Sequence, residues 1–600
     1  MPADGGVDAG IAEVLAYHDR TKHHFHRFAA SAGHLDWATQ PDPFRRYVGA
    51  PLLALPHDVA VQGVRFDDLT SSVPGALPAP LSLGTVGEFL RCSLGLSAWK
   101  QFGSARWALR VNPSSGNLHP TEGYVVAPAL SGEGWSVCHY APREHALEVR
   151  ARLGPIAPTA APDGVVSDGV VSDGVIPDGV MLVALTSIHW REAWKYGERA
   201  FRYCQHDVGH AVAALRYAAA LLGWRLRVLP GWSDTDLAAV LGVDRELPDS
   251  VEREHPDCVM AVGPGEVAAV GGPESWLVSA GRAVWTGAPN QLSPGHTDWP
   301  AIDRVAEASR RTKRHPADRR RAEKPCADRV VGLVQSVGAA GLELVSTARP
   351  AVATLAPVVP VPGTVDARAI LLQRRSAVAF DGRGELSRAA FATMLRRVMP
   401  RSAVAAGPDA ASSAVPEGVP VPWDALEWPP QVHLVWFIHR VEGVMPGIYA
   451  QVRDPAALTE LRAGLRGDML WEPVDALEGL YLLAPLDARS LARRLSCDQD
   501  IAADGYVGMA MLARVEPSLV TFGPWFYRHL YWECGMVGQV LYLEAEAAGA
   551  RATGIGCYYD DAVHDMLGIQ GHHWQSLYHF SMGRPVEDSR LTTEPGYAWE

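Results

Sequence analysis

Two long apolar stretches dominate the hydrophobic pattern of the chain, at residues 202–222 and 528–548. In each stretch, apolar residues recur every three or four positions and cover nearly all faces, which is typical of a helix buried between partners. A continuous apolar run of strand length precedes each one, at 180–188 and 507–515. A Gly-terminated turn, a short strand pattern and an amphipathic helix pattern follow. The pattern therefore predicts one strand and helix unit that occurs twice.

The two units are copies of one sequence. Residues 202–243 align without gaps on residues 528–569, so that equivalent positions lie 326 residues apart (528 minus 202). The matched pairs include charged residues and glycines: Arg202 with Arg528, Asp207 with Glu533, Gly209 with Gly535, Gly223 with Gly549, and Asp234 with Asp560. Two unrelated alanine-rich helices would share apolar positions but not these. We therefore predict an α+β protein whose two tandem domains pack together as an intrachain pseudo-dimer.

Length, charge and cysteine usage narrow the class of protein. The chain has 600 residues, and a single hydrophobic core stops growing at about 250–300 residues, so two domains are expected. The formal net charge of −13 argues against a binder of nucleic acid or membrane surfaces. No apolar run reaches the roughly 18 residues of a membrane span. The eight cysteines form no Cys-x-x-Cys pair, which favours reduced thiols in a cytoplasmic protein over disulfides or a metal site.

Segments of biased composition divide the chain into regions. Residues 162–181 are four pentapeptides built on Asp-Gly turn signals, and residues 349–364 are rich in proline and valine. The basic run at 304–329 is interpreted as a solvated helix and tail, and residues 402–430 resemble a second loop insertion. The predicted regions are an N-terminal arm (1–75), a first domain (76–285) with a flexible insertion (155–180), a basic segment and linker (286–364), and a second domain (365–600).

The N-terminal arm is rich in histidine. Residues 17–49 of the arm hold five histidines: His18, His23, His24, His26 and His34. A zinc site stays open as an alternative, but no cysteine or carboxylate is spaced to complete one. We therefore favour an arm that covers the paired domains or shapes a substrate pocket.

A polar loop in the first domain carries candidate binding groups. Pro113, Ser114, Ser115, Asn117 and His119 lie in a proline-bounded segment just before a predicted strand. Hydroxyls, an amide side chain and exposed backbone amides can hydrogen-bond the edge of a polar heteroaromatic ligand. By composition alone, the segment is also an ordinary turn.

Two further segments carry charged or titratable groups. Arg374, Arg375 and Ser376 precede an amphipathic helix and suit a phosphate, because guanidinium groups match phosphate oxygens in a bidentate manner. Lys195 and Tyr196 stand at the entrance to the first apolar helix, where they can supply a general base or a proton relay. The second copy has threonine and phenylalanine at the equivalent positions, and this asymmetry favours a functional role over a structural one.

Together these segments resemble the FMN-dependent nitroreductase superfamily, most closely its azoline-dehydrogenase branch of the SagB/ThcOx type. The 113–120 loop is similar to the loop that packs on the flavin ring, and residues 374–376 are similar to the phosphate-binding start. Lys195 and Tyr196 match the pair implicated in azoline oxidation. The resemblance adds three residues: Gly556 and Cys557, in a segment similar to the loop over the flavin, and Arg590, similar to a terminal residue that reaches the phosphate.

The resemblance also implies how the copies share the cofactor. In the family's homodimers, FMN lies at the subunit interface and takes groups from both chains. Here the ring loop is in the first copy, whereas the phosphate-binding residues are in the second. The resemblance therefore implies one composite FMN site and a degenerate second site.

The resemblance implies an FMN-dependent dehydrogenase that oxidises a C–N bond in a heterocycle derived from a peptide or amino acid. Its partners would be a small-molecule or peptide-derived substrate and other biosynthetic enzymes. Two alternatives stay open: an NAD(P)H-dependent reductase of nitro, quinone or enone compounds, and a non-catalytic scaffold that binds a peptide precursor. A homo-oligomer of the tandem chain also stays open.

Overall fold

A computed structural model describes residues 4–57, 63–70, 77–128, 134–154, 156, 178–245, 250–312, 365–400 and 419–599. The first three pentapeptides, most of the predicted basic segment, the linker at 349–364 and much of the insertion at 402–430 lie outside the described residues.

The first half of the chain forms a seven-stranded antiparallel sheet. In chain order, its strands and their neighbours are β1 (Tyr47–Val48), β2 (Leu52–Ala54), β3 (Leu96–Phe102), β4 (Ala105–Arg110), β5 (Thr121–Pro128), β6 (Trp135–Ala141), β7 (Ala146–Leu153), β8 (Met181–Ser187), β9 (Arg225–Val228), β10 (His255–Gly263) and β11 (Ala288–Pro289). The sheet order is β2-β7-β6-β5-β8-β10-β9. The helices of this half are Asp4–Arg20, Phe66–Leu69, Leu83–Arg91, His189–Tyr196, Ala200–Leu221, Asp234–Leu241, Glu274–Arg282 and Pro300–Ala308.

The second half repeats this arrangement. Its strands are β12 (Val432–Ile438), β13 (Gly447–Gln451), β14 (Glu472–Pro473), β15 (Leu480–Pro485), β16 (Val507–Arg514), β17 (Arg551–Ile555), β18 (Trp574–Gly583) and β19 (Thr592–Pro595). Seven of them pair in the order β14-β15-β13-β12-β16-β18-β17, again antiparallel. The helices are Ala367–Gln373, Arg388–Arg397, Leu458–Gly464, Arg489–Leu495, Ile501–Asp504, Val515–Phe522, Phe526–Ala547 and Asp560–Leu567.

Three helices recur with the spacing that the sequence repeat predicts. The helices His189–Tyr196, Ala200–Leu221 and Asp234–Leu241 have counterparts at Val515–Phe522, Phe526–Ala547 and Asp560–Leu567, each 326 residues later. Ala200–Leu221 and Phe526–Ala547 are called the first and second long helices below. Both are buried along nearly their whole length, as their apolar pattern predicts. The predicted α+β fold with two tandem domains is confirmed.

The two long helices cross at a pair of glycines. A Cβ atom at Gly209 would overlap the carbonyl oxygen of Trp532, and one at Gly535 would overlap the carbonyl oxygen of His206. The two glycines are matched positions of the repeat, so the crossing lies on the local symmetry axis of the pair. Because glycine has no side chain, the two backbones approach directly and the domains share one apolar core.

Both chain ends reach across the boundary between the domains. Strand β19 pairs with β3, so the end of the second domain completes a three-stranded sheet, β19-β3-β4, in the first. At the other end, the imidazole of His18 contacts Tyr527 and Gln575 of the second domain. Among the described residues, no helix is both long and apolar enough to cross a membrane.

Candidate functional site

Residues from both domains meet around two tyrosine rings. The rings of Tyr196 and Tyr203 lie 4.5 Å apart in a nearly perpendicular arrangement. On one side, a Cβ atom at Gly116 of the polar loop would lie 2.5 Å from the Tyr196 hydroxyl oxygen. On the other, a Cβ atom at Gly556 of the second domain would overlap the Tyr203 ring. The structure therefore brings together three of the predicted segments: the 113–119 loop, Lys195-Tyr196, and Gly556-Cys557.

The polar loop that follows Pro113 is fixed by its own side chains. The Ser114 hydroxyl accepts a hydrogen bond from the His119 amide (2.7 Å), and the Asn117 side-chain amide donates to the Ala108 carbonyl (2.9 Å). Asn117 and His119 both have left-handed backbones, at φ 61° and 52°. These bonds and the Gly116 turn hold the loop against the Tyr196 hydroxyl.

A buried carboxylate on the first long helix supports the same loop. Asp207 accepts hydrogen bonds from the Ser115 amide (3.1 Å) and the Ser115 hydroxyl (3.0 Å). Burial raises the pKa of Asp207 to about 7, although the bonds from Ser115 and Ser114 oppose that rise. The repeat alignment marks Asp207, but the sequence alone gave no signal that it would face the loop.

A second buried carboxylate, Glu192, lies near Lys195 and Asp207. Both of its oxygens are buried and have no hydrogen-bond partner among the described residues. Burial raises the pKa of Glu192 well above its usual range, and the nearby Asp207 adds to this rise. Lys195 is partly exposed, with its Nζ 5.2 Å from the centre of the Tyr196 ring. Burial also raises the pKa of Tyr196, so its hydroxyl stays protonated at neutral pH.

Arg374 carries a buried charge at the start of the second domain. It donates to the carbonyls of Val111 and Arg110 (both 3.1 Å), immediately before the polar loop. Its Nη1 is buried and has no hydrogen-bond partner in the described part of the chain. Ser376 contacts the Tyr542 hydroxyl (2.9 Å), which also accepts from the Gly554 amide.

Arg375 lies beside Arg374 and donates to backbone carbonyls, including that of Ser97 (2.7 Å). Burial and the neighbouring Arg374 guanidinium lower the pKa of Arg375 to about 10. The described residues give neither arginine a carboxylate within ion-pair distance. Glu546 attracts both guanidinium groups only from beyond that distance. Two adjacent cations that lack an ion-paired carboxylate suit an anionic group.

The segment that begins at Gly556 is anchored by a buried ion-pair cluster. The Arg199 guanidinium donates to the Gly556 carbonyl (3.1 Å) and pairs with Asp560 (3.0 Å). Arg202 also pairs with Asp560 (2.8 Å). Burial alone would raise the pKa of Asp560, but the two guanidinium groups hold it well below its usual range. The N-terminal arm closes over this cluster, because His23 and Asp560 exchange two hydrogen bonds.

Arg590 lies apart from the other predicted residues. Its guanidinium pairs with Asp588 (2.7 Å), and the side chain is 73% exposed. The structure shows no contact between Arg590 and Arg374 or Arg375. Its predicted role at a phosphate therefore gains no support from its position and stays a prediction.

The equivalent place in the other half is filled by aromatic rings. Tyr203 corresponds to the buried His529, whose ring lies 4.6 Å from Trp428 and 4.7 Å from Trp525. The counterpart of Asp207 is Glu533, which pairs with the buried Arg453. The two halves thus differ most where the candidate site lies.

Comparisons with known proteins agree with this fold. A model of the nitroreductase family matches residues 78–264 and 475–584. No curated protein matches the chain significantly. A solved structure from Anabaena variabilis, assigned as a nitroreductase, is 19% identical; the alignment covers 96% of this chain and 99% of that one, with a TM-score of 0.60.

Two other solved structures align with just over a third of the chain. The microcin synthetase McbBCD complex of E. coli, with truncated pro-MccB17 bound, is 18% identical over 36% of this chain and 70% of that one, with a TM-score of 0.25. An assigned nitroreductase of Ralstonia eutropha is 15% identical over 38% of this chain and 94% of that one, with a TM-score of 0.24. Residues 78–264 and 475–584 match the nitroreductase family, and the structure has two domains of this fold in tandem.

Proposed function

We propose that the protein is an FMN-dependent oxidoreductase with one composite active site, which dehydrogenates a heterocycle derived from a peptide or an amino acid. The observation that carries this proposal is the meeting of both domains at Tyr196, where the other half of the molecule has a cluster of aromatic rings. Within the family, the Lys195–Tyr196 pair supports the azoline-dehydrogenase branch.

The residues present fit an FMN molecule. Arg374 and Arg375 carry two positive charges with no carboxylate within ion-pair distance among the described residues, and the buried Nη1 of Arg374 lacks a hydrogen-bond acceptor. These arginines and Ser376 would hold the phosphate. The glycines at 116 and 556 let the tyrosine rings pack directly against the two backbone segments, where any side chain would overlap a ring. Ser114, Ser115 and Asn117 would contact the ring edge.

FMN, when bound, supplies a hydride acceptor, and the chain must orient the substrate and manage its proton. Tyr196 keeps its hydroxyl proton and can hydrogen-bond the substrate, and the partly exposed Lys195 lies beside it. Asp207, with its pKa raised to about 7, and Glu192, with its raised pKa, can each hold a proton near the pair. The buried carboxyls would thus serve as a proton store behind Lys195 and Tyr196.

Counting flavin tests the cofactor and the composite site together. The purified protein, saturated with FMN and freed of excess, should retain one FMN per chain by absorbance. Arg375→Ala should weaken FMN binding by roughly 10- to 100-fold, because it removes a charged partner of the phosphate. Arg466→Ala is the matched control, because this exposed arginine pairs with Asp468 outside every predicted site segment and its loss should leave the affinity unchanged. Two FMN per chain would contradict the single site. A chain that binds no FMN would contradict the proposal that the protein is an FMN-dependent enzyme.

A synthetic peptide that carries a thiazoline ring tests the reaction. The FMN-loaded protein should remove two hydrogens from the ring, which mass spectrometry detects. Rapid loss of flavin colour with NAD(P)H and no change in the peptide would instead favour a reductase of nitro, quinone or enone compounds. Stoichiometric binding of the peptide without turnover would favour a scaffold.

A further inference from the structure

Two cysteines from separate segments meet beside the candidate site. Cys497 follows the helix Arg489–Leu495, and Cys557 follows Gly556. Their side chains lie within hydrogen-bonding distance of each other. Both are partly exposed, whereas the other cysteines that the structure describes are buried: Cys92, Cys138, Cys204, Cys258 and Cys534. An exposed pair of thiols in contact differs in kind from these isolated core cysteines.

Backbone contacts on both sides hold the two segments together. The Tyr559 amide donates to the Leu495 carbonyl (2.9 Å). The Gln499 side-chain amide donates to the carbonyls of Cys557 (2.9 Å) and Ser496 (2.7 Å). The contact between the thiols is therefore built into the fold, since the chain is fixed immediately before and after each cysteine.

His23 of the N-terminal arm distinguishes the two sulfurs. Its Nδ1 accepts a hydrogen bond from the Ala29 amide (3.0 Å), so the ring proton is on Nε2 and can be donated to the Cys557 sulfur. The hydrogen bond from Cys497 and the contact with His23 hold the pKa of Cys557 well below its usual range. The same contact with Cys557, together with burial, raises the pKa of Cys497. Cys557 is thus the thiolate, and Cys497 is its proton-bearing neighbour.

We propose that Cys557 and Cys497 form a thiol–disulfide redox site, in which Cys557 is the attacking thiolate and Cys497 the resolving thiol. The reaction partner is a low-molecular-weight disulfide such as oxidised glutathione. The Cys557 thiolate attacks one sulfur of this disulfide and releases one glutathione thiolate, which leaves a mixed disulfide on Cys557. The Cys497 thiol then attacks the Cys557 sulfur, loses its proton and releases the second glutathione. The protein's two thiols become one disulfide, and oxidised glutathione becomes two reduced molecules.

This site goes beyond the proposed function, because the exchange requires neither flavin nor a heterocyclic substrate. It also lies where it can influence that function. The residue before Cys557 is Gly556, whose carbonyl is bound by Arg199 and whose Cα lies against Tyr203. A disulfide between positions 497 and 557 would tie this segment covalently to the helix end at Leu495.

Peptide mapping of the full-length protein tests the proposal. The starting protein carries Cys326→Ser, because Cys326 lies outside the described residues. With limiting iodoacetamide at pH 7, Cys557 should be alkylated roughly tenfold faster than Cys497, since the thiolate is the reactive form. With oxidised glutathione, the mapped product should be a Cys497–Cys557 disulfide that dithiothreitol reverses. With Cys497→Ser, the product should be a stable glutathione adduct on Cys557.

Three results would overturn the proposal: equal alkylation of the two cysteines, no disulfide between them at any glutathione ratio, or an adduct that forms first on Cys497. The alkylation measurement uses the native cysteine pair, so it stays decisive even if a serine variant fails to fold. Bound FMN can shield Cys557, so the mapping is run with and without added FMN. Disulfide formation requires no flavin turnover, so the redox site and the proposed enzyme can fail independently.

Discussion

Tyr196 is the residue at which the polar loop, the first long helix and the second domain converge. Its hydroxyl lies against Gly116, its ring contacts Tyr203, and Tyr203 in turn lies against Gly556. A single hydroxyl at such a junction can act on a ligand held by both domains. The neighbouring Lys195 is partly exposed to solvent.

The Lys195→Ala, Tyr196→Phe double variant should bind FMN normally but oxidise the thiazoline peptide about 100-fold more slowly or worse. General acid–base groups contribute roughly 10²–10⁴-fold to rate, and neither side chain belongs to the proposed phosphate-binding set. Flavin absorbance and single-turnover kinetics measure the two effects separately. Thr521→Ala, at the position equivalent to Lys195, is the control and should leave turnover unchanged. Full turnover in the double variant would remove the pair from the mechanism.

Asp207 should make the protein less stable as the pH rises. Because its folded pKa of about 7 exceeds the ordinary value of 3.8, the folded state holds a proton that the unfolded state releases between these values. Its contribution to stability is therefore complete at low pH and falls between about pH 4 and pH 7. Asp207→Asn should flatten the decline in melting temperature over this window. An unchanged slope would show that Asp207 is ionised in the fold.

Ser115→Ala offers the matched test, because the Ser115 hydroxyl lowers the Asp207 pKa. Loss of this hydroxyl should move the midpoint of the decline in melting temperature to higher pH. A shift to lower pH would contradict the hydrogen bond from Ser115 to Asp207.

Residue motifs predict part of this site. The loop at 113–119 and Lys195-Tyr196 could be recognised because their residue types recur in a known order. Glu192 could not be recognised from the sequence, because a single glutamate in a helical pattern is typical of a surface residue. Arg590 is exposed and pairs with its neighbour Asp588, and its role at a phosphate stays a prediction.

At the scale of elements, the crossing of the two long helices depends on the absence of two side chains. Gly209→Ala should destabilise the protein by about 1–3 kcal/mol, although alanine favours a helix, because the new methyl group meets the Trp532 carbonyl and not a flexible side chain. Gly535→Ala should cost a similar amount, since its Cβ would meet the His206 carbonyl. Thermal unfolding measures both.

The control for these helix variants is Gly231→Ala, where a Cβ atom would meet nothing within 4 Å. It should leave the melting temperature nearly unchanged. A Gly209→Ala variant as stable as this control would mean that the helices can separate without loss.

The long elements were predictable because their patterns are local. The helices predicted at 202–222 and 528–548 are observed at Ala200–Leu221 and Phe526–Ala547, and the run at 180–188 is observed as β8 (Met181–Ser187). Strand order was not predictable, because antiparallel partners lie far apart in the sequence. The pairing of β19 with β3 joins residues nearly 500 positions apart, and no period in the sequence marks it.

At the scale of the whole molecule, matched ion pairs fasten the two domains. Arg202 of the first long helix pairs with Asp560 of the second domain, and Arg528 of the second long helix pairs with Asp234 of the first. Both members of one pair lie 326 residues from those of the other. The two carboxylates differ in pKa. Asp560 also faces Arg199, and its pKa lies well below the usual range, whereas burial dominates at Asp234 and raises its pKa.

Asp560→Asn should therefore destabilise the protein at neutral pH more than Asp234→Asn does. The first change leaves two buried guanidinium groups without a counter-ion, at a cost of about 3–5 kcal/mol. The second leaves Arg528 with Asp257, which lies 4.0 Å away. Melting temperatures at pH 7 give the comparison. The stability that Asp560 contributes should be lost as the pH falls towards its depressed pKa, so the gap between wild type and Asp560→Asn should narrow in acid. If Asp234→Asn lowered the melting temperature at pH 7 as much as Asp560→Asn or more, Asp560 would not be the more strongly paired carboxylate.

The return of the last strand to the first domain also limits how the molecule can be divided. Residues 592–597 cover β3 and seat the Tyr597 hydroxyl on the Pro142 carbonyl (2.6 Å). A polypeptide that contained only the first half would leave the edge of β3 open, and open edges recruit strands from other molecules. The halves are thus not interchangeable modules, and an engineer who recombines them must carry the final strand along with its distant partner.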